Sequence, residues 1–322
     1  MNQPIRPRRL RTTAAMRRLV SELTIDPAHL VLPIFVAETK APISSMPGVV
    51  KHDLAGAAQI ARHAADAGVG GIMIFGVPDD ADKDEQGSAA WAADGIGQRA
   101  IRAVVDAVGD DTVVMIDTCL DEFTSHGHCG VLDDQGRVIN DASVELYVKM
   151  AIAQAEAGAQ VVSPSGMMDG QVAAIRSGLD AAGYQDVAIL AYGAKYASAF
   201  YGPFREAVSS TLRGDRKTYQ QDPANRREGL REALLDIEEG ADMVMVKPAG
   251  YYLDVLADVA AVSPIPVAAY QVSGEYAMLE AAAANGWLDR ERAISESVTA
   301  IFRAGADIAL TYWALEIAEG LR

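Results

Sequence analysis

The stretch REGLREALLDIEEGADMVMVKPA, residues 227–249, contains one complete structural unit. It begins amphipathic, stops at a glycine suited to a helix C-terminus, and resumes as an unbroken apolar run. A run that does not alternate with polar residues suits a strand buried on both faces, as in a parallel sheet covered by helices. The unit recurs. Apolar runs lie at 30–36, 71–75, 112–117, 159–165, 187–195, 242–249, 267–274 and 306–313, eight in all. EAGA, EEGA and RAGA mark helix stop and strand start before the fourth, sixth and eighth. Eight such units predict an α/β fold, a (β/α)8 TIM barrel. An open doubly wound sheet lacks support, because no G-x-G-x-x-G follows an early strand.

The chain has 322 residues, a normal length for one such barrel. Its net charge of -16 repels phosphate backbones, so nucleic acid is excluded as a partner and an anionic substrate needs locally placed cations. No apolar stretch of about 18 residues is present, so no membrane span is expected. Two cysteines make no disulfide framework and point to a reducing, cytoplasmic location. The opening MNQPIRPRRLRTTAAMRRLV carries six arginines and no acid before Glu22. It lacks the apolar core of a secretory signal and reads as an arm that packs on an acidic partner subunit. The expected organisation is an arm over 1–25 and a catalytic barrel over 26–322.

Chemistry in a barrel of this kind sits at the C-terminal strand ends. The third run ends at Asp117, the fourth at Ser163 and Ser165, and the fifth at Lys195. The sixth ends at Lys247, the seventh at Ser273 and the eighth at Tyr312. One lysine after an apolar strand reads equally well as a side chain reaching for solvent. Two on neighbouring strands, about 5 Å apart, should both resist charging. A lysine with a lowered pKa attacks carbonyls and forms a Schiff base. The pair implies either two carbonyl substrates or one lysine activating the other. Residues 196–226 form the longest connection, expected as a lid. Its Arg205, Arg216, Lys217 and Gln220 suit a carboxylate substrate, and Ser273 and Tyr312 suit a second carboxylate held by neutral hydrogen bonds.

The segments DTCLDEFTSHGHCG, SPSGMMDG, AYGAKYASAFYGPFREA, GDRKTYQ, GADMVMVKPAGYYLD and AYQVSGEYAML together resemble the porphobilinogen synthase (5-aminolevulinate dehydratase) family. The similarity runs from about Arg6 to the C-terminus. It implies a lyase of tetrapyrrole (haem) synthesis that condenses two 5-aminolevulinate molecules asymmetrically to porphobilinogen, with loss of two waters. By motif match, Lys247 holds the first substrate as a Schiff base and Lys195 the second. Ser273 and Tyr312 hold the first carboxylate; Arg205, Arg216 and Gln220 hold the second. Asp117 and Ser165 lie by the second substrate's amino end. The arm implies a homo-octamer. Gly166 and Gln171 depart from the family, where Asp and often Arg stand.

The family's zinc-dependent members carry three cysteines at the positions of Cys119, Asp121 and Cys129; the others carry none there. This chain is intermediate. Two thiolates and a carboxylate hold Zn2+ with a fourth position open, though one thiolate fewer weakens zinc. The plainer reading is two buried thiols beside a carboxylate. His126 and His128 are expected to pack the loop rather than ligate. Glu232 matches a family glutamate that holds an allosteric Mg2+ through waters. Two rivals use the same residues differently. A class I aldolase-like lyase needs only one lysine and a phosphate grip that QVSGEY and TYWALE lack. A non-enzymatic zinc-binding protein leaves both lysines unexplained.

Overall fold

The computed structural model describes residues 5–212 and 214–321, so the first four residues of the expected arm and Arg322 lie outside it. Eight parallel strands close on themselves as predicted: β1 (Leu30–Val36), β2 (Gly71–Gly76), β3 (Val113–Thr118), β4 (Val161–Pro164), β5 (Ala188–Lys195), β6 (Met243–Lys247), β7 (Val267–Tyr270) and β8 (Ile308–Leu310). Closure is explicit in the pairing of β8 with β1, Leu30 opposite Ala309 and Val31 opposite Leu310. The helix Arg226–Glu238 precedes β6, as the opening stretch required. Two short strands not foreseen, Ala41–Pro42 and Val50–His52, pair antiparallel and extend the edge of β1 in the connection after it.

Side-chain alternation sorts each strand into two cores. On β6, Val244 and Val246 join the layer beneath the helices, while Met245 fills the barrel interior with Val31, Phe35, Met115 and Leu190. Strict alternation therefore brings Lys247 to the inner face. On β5 it does not hold. Leu190 and Tyr192 face inward and Ile189 and Ala191 outward, yet Ala194 also faces outward. The register with β6 shifts between Ala191 and Ala194, a bulge that inserts one residue. Beyond it Lys195 pairs with Lys247. Gly193 sits in the bulge because a Cβ there would lie 2.7 Å from Val244 Cγ2 and 2.9 Å from Ala233 Cα.

Two expected strand ends are corrected. β7 stops at Tyr270, and Ser273 is the first residue of the helix Ser273–Ala284. β8 stops at Leu310, two residues short of Tyr312. Both remain buried at the mouth. The lid carries the short helices Ala199–Tyr201 and Gly202–Ala207. The arm forms Pro7–Arg11 and Ala14–Leu19, with no buried residue in either. No helix among the described residues is long and apolar enough to cross a membrane.

Candidate active site

A cavity of about 250 Å³ opens at the C-terminal mouth. Asp117, Asp121, Ser165, Lys195, Lys247, Arg205, Arg216 and Gln220 line it together. Eight positions named from the sequence thus converge on one space. Ser273 and Tyr312 do not line it. Lid residues stand between: the Phe204 N–H donates to Ser273 Oγ at 2.9 Å, and Ser273 Oγ donates to the Phe200 carbonyl at 3.4 Å. Tyr312 Oη meets Tyr270 Oη at 3.0 Å behind Lys247.

The two lysines differ in state. Lys247 is buried among aromatic rings, its Nζ 4.5 Å from the centroid of Tyr270, 5.0 Å from Tyr192, 5.4 Å from Phe204 and 5.5 Å from Tyr201. Burial, helped by the charge of Lys195, lowers its pKa to about 7. The expectation that both lysines resist charging fails for Lys195. Burial acts against its charge, but Cys129, Cys119, Asp117 and Asp121 outweigh it and leave its pKa raised. Its Nζ donates to the Ser165 carbonyl. One lysine is thus poised neutral and the other held as an ammonium.

Asp117 is buried, its Oδ2 accepting from Ser165 Oγ at 3.1 Å while Oδ1 has no hydrogen-bond partner among the described residues. Burial raises its pKa against the pull of Lys247 and Lys195. Gln220 Nε2 and Tyr192 Oη are likewise buried without a partner among those residues. An unpaired buried polar group costs about 1–3 kcal/mol, so each is a position where a polar substrate would restore a bond.

The Cys119, Asp121 and Cys129 ligand atoms all lie within 4.8 Å of one another, fully buried, with room for one metal ion. Arg216 Nη2 pairs with Asp121 Oδ2 at 2.7 Å and donates to the Gly127 carbonyl at 2.8 Å. Despite burial, Arg216 holds the Asp121 carboxyl far below the usual range. The histidines take other partners: His126 Nε2 lies 3.2 Å from the Glu85 carbonyl and His128 Nδ1 lies 3.1 Å from Tyr219 Oη. Glu232 lies apart, in a neighbouring cavity with Asp169 and Glu228. Burial, then those two acids, raises its pKa.

Gly166 now has a physical account. A Cβ there would lie 1.9 Å from Tyr147 Oη, and that hydroxyl donates to the Cys129 carbonyl at 2.7 Å and touches Cys119 Sγ at 3.4 Å. Tyr147 fills the space a longer residue would use and braces the cysteine loop. Gln171 is buried and accepts from the Met168 N–H at 3.2 Å, tying the connection that follows β4. Sequence reading missed Tyr192, Tyr201, Phe204 and Tyr270 as the wall around Lys247. Tyr192 was hidden by the bulge, since counting back in twos from Lys195 turns it outward.

Paired buried lysines, a buried Asp–Ser pair and a cationic lid at a barrel mouth define a class: enzymes that activate carbonyl substrates as lysine imines. The chain belongs to the delta-aminolevulinic acid dehydratase family, whose model matches residues 4–320. It is 66% identical over 319 residues to the delta-aminolevulinic acid dehydratase of Mycobacterium tuberculosis strain H37Rv, covering 98% of this chain and 97% of that one. To the Streptomyces coelicolor enzyme it is 64% identical over 320 residues, 98% and 97% of the two chains. The crystal structure of the Toxoplasma gondii ME49 enzyme, in complex with its reaction product porphobilinogen, superposes with a TM-score of 0.96 at 46% identity, covering 98% of this chain and 92% of that one.

Proposed function

We propose that the chain condenses two 5-aminolevulinate molecules to porphobilinogen with loss of two waters. The observation that carries this is the cross-strand pairing of Lys195 with Lys247 at the mouth of the barrel, one poised neutral and one charged. A single-lysine lyase has no use for the second.

With its pKa lowered to about 7, a large share of Lys247 is the free amine near neutral pH; it attacks the ketone of the first substrate and forms an imine with release of water. Lys195 must first lose a proton, and Asp117, whose charge acts on it, is the neighbouring base. Lys195 then forms the second imine and releases the second water. A protonated imine makes the adjacent C–H acidic, and the resulting enamine attacks the imine carbon of the other substrate, whose lysine is expelled as the free amine. An amino group displaces a lysine, and proton loss aromatises the ring. Arg205, Arg216 and Gln220 hold the second carboxylate, and Ser165 and Asp117 its amino end. Ser273 and Tyr312 hold the first carboxylate, which requires the lid residues Phe200 and Phe204 to move aside and release Ser273 Oγ from both of its bonds.

Cys119, Asp121 and Cys129 suit Zn2+: two sulfurs and one carboxylate in reach of one another, with the Arg216 pair occupying only Oδ2 of Asp121. When bound, zinc supplies Lewis acidity toward a substrate oxygen. Glu232, with Asp169 and Glu228 beside it, suits a regulatory Mg2+. The exposed arm suits a homo-octamer, and the free buried thiols suit the cytoplasm. The deciding experiment measures pyrrole formation from 5-aminolevulinate before and after exhaustive chelation, with Zn2+ or Mg2+ restored. Pyrrole that vanishes on chelation and returns with zinc is expected. No pyrrole under any metal overturns the reading.

A further inference from the structure

The lid has a fixing point that none of these roles uses. Glu206 follows Arg205 in the helix Gly202–Ala207. Its Oε1 accepts from the Ser44 N–H at 2.8 Å and from Ser44 Oγ at 2.5 Å. Its Oε2 accepts from the Ser45 N–H at 3.1 Å and from the Ser45 hydroxyl. These bonds draw the Glu206 carboxyl down to about 2, so it stays charged across any working pH. Four donors saturate the two oxygens. The serines ride on a firm post, because Ile43 and Met46 beside them are buried in the barrel-interior core and the Pro47 carbonyl accepts from Tyr276 Oη. Two lysines brace the far side of the same turn: Lys51 Nζ donates to Ser209 Oγ at 3.0 Å and Lys83 Nζ to the Ser209 carbonyl at 2.9 Å.

Charge gives a second, separate reason for this arrangement. In a chain of net charge -16, an arginine at the cavity rim would be expected to pair with a nearby acid. Among the described residues no ion pair reaches Arg205, whereas Arg216 is already engaged by Asp121. The acid next to Arg205 in sequence is the one whose acceptors the two serines consume. We propose that Glu206 is a positioning residue: its grip on Ser44 and Ser45 pins the lid over the cavity and so fixes Arg205, which no ion pair among the described residues engages, for an incoming carboxylate. The inference rests on the reading of Arg205 as a carboxylate-binding group.

The test compares Glu206→Gln, Glu206→Asp and the double variant Ser44→Ala/Ser45→Ala in the full chain, by steady-state kinetics and by trypsin cleavage within residues 205–217. Loss of a charge-assisted bond predicts KM raised about tenfold with kcat within about twofold, in Glu206→Gln and in the double variant alike. Lid cleavage should accelerate in both, and Glu206→Asp should recover part of each effect. Unchanged KM and unchanged cleavage overturn the proposal, as does a fall in kcat at constant KM. If Glu206→Gln fails to fold, the serine pair carries the test alone. If the wild-type chain makes no pyrrole, the functional reading falls, and the cleavage comparison still decides whether the latch exists.

Discussion

At the scale of the residue, Lys247 and Lys195 show how one side-chain type is given two states by its surroundings. Burial and a neighbouring ammonium strip charge from Lys247; the two cysteine sulfurs and the carboxylates of Asp117 and Asp121 keep it on Lys195. The sign of the pH dependence follows. With a folded pKa of about 7 against the usual 10.5, the native chain binds fewer protons at this residue between those values than the unfolded chain does. The residue's contribution to stability therefore falls as pH drops from 10.5 to about 7 and is constant below. Its reactivity moves the same way: borohydride trapping of the 5-aminolevulinate adduct at Lys247 should rise with pH and level off above a midpoint near 7. A midpoint near 10.5 would mean that Lys247 is not desolvated in solution. Lys247→Ala and Lys195→Ala should each reduce pyrrole formation at least about a thousandfold, because the two act as a unit. Stopped-assay product measurement checks this.

At the scale of the element, the sequence was readable where periodicity is simple and silent where it breaks. All eight strands and the helix stops before them were legible, since unbroken apolar runs and capping glycines obey local rules. The convergence of Asp117, Ser165 and the lysines was legible too, because a barrel brings strand ends together. The bulge at Tyr192 and Gly193 was not read, although Gly193, a lone glycine inside AILAYGAK, is the one mark of where alternation slips. Nor could sequence reveal that Arg216 faces Asp121, a contact made by a long connection with no period of its own. The tight packing of Tyr147 against Gly166 yields a further prediction. Gly166→Ala places a methyl inside the Tyr147 ring contact and should cost about 1–3 kcal/mol, read as a lower denaturant midpoint. On the reading of Cys119, Asp121 and Cys129 as a zinc site, it should also weaken zinc retention measured by competitive chelation, since Tyr147 braces both cysteines.

At the scale of the whole molecule, neither described helix of the arm has a buried residue, and among the described residues of the arm only Ile25 at its end packs against the barrel's outer core. Ile5, Leu10 and Leu19 are more than half exposed, at 82%, 52% and 79%. Removing residues 1–20 should yield a smaller particle by light scattering while leaving the thermal midpoint of the barrel nearly unchanged. An unaltered mass would refute the arm's role in assembly. Glu232 belongs to this scale as well, since it lies outside the reaction cavity. Glu232→Gln should abolish any response of activity to added Mg2+, and a response that persists would remove the magnesium from that residue.

The bulge in β5 carries one more consequence. A strand has a parity, and every residue on it inherits inside or outside from the count. Lys247 obeys the count; Lys195 faces the cavity only because one position has been added before it. Deleting a single residue between Ala191 and Ala194 would leave every functional group in the chain and swing the second amine out toward the helices. Possession of both amines is therefore a matter of length as much as of composition: a loss of one codon, touching no reactive side chain, would turn a two-substrate site into a one-substrate site.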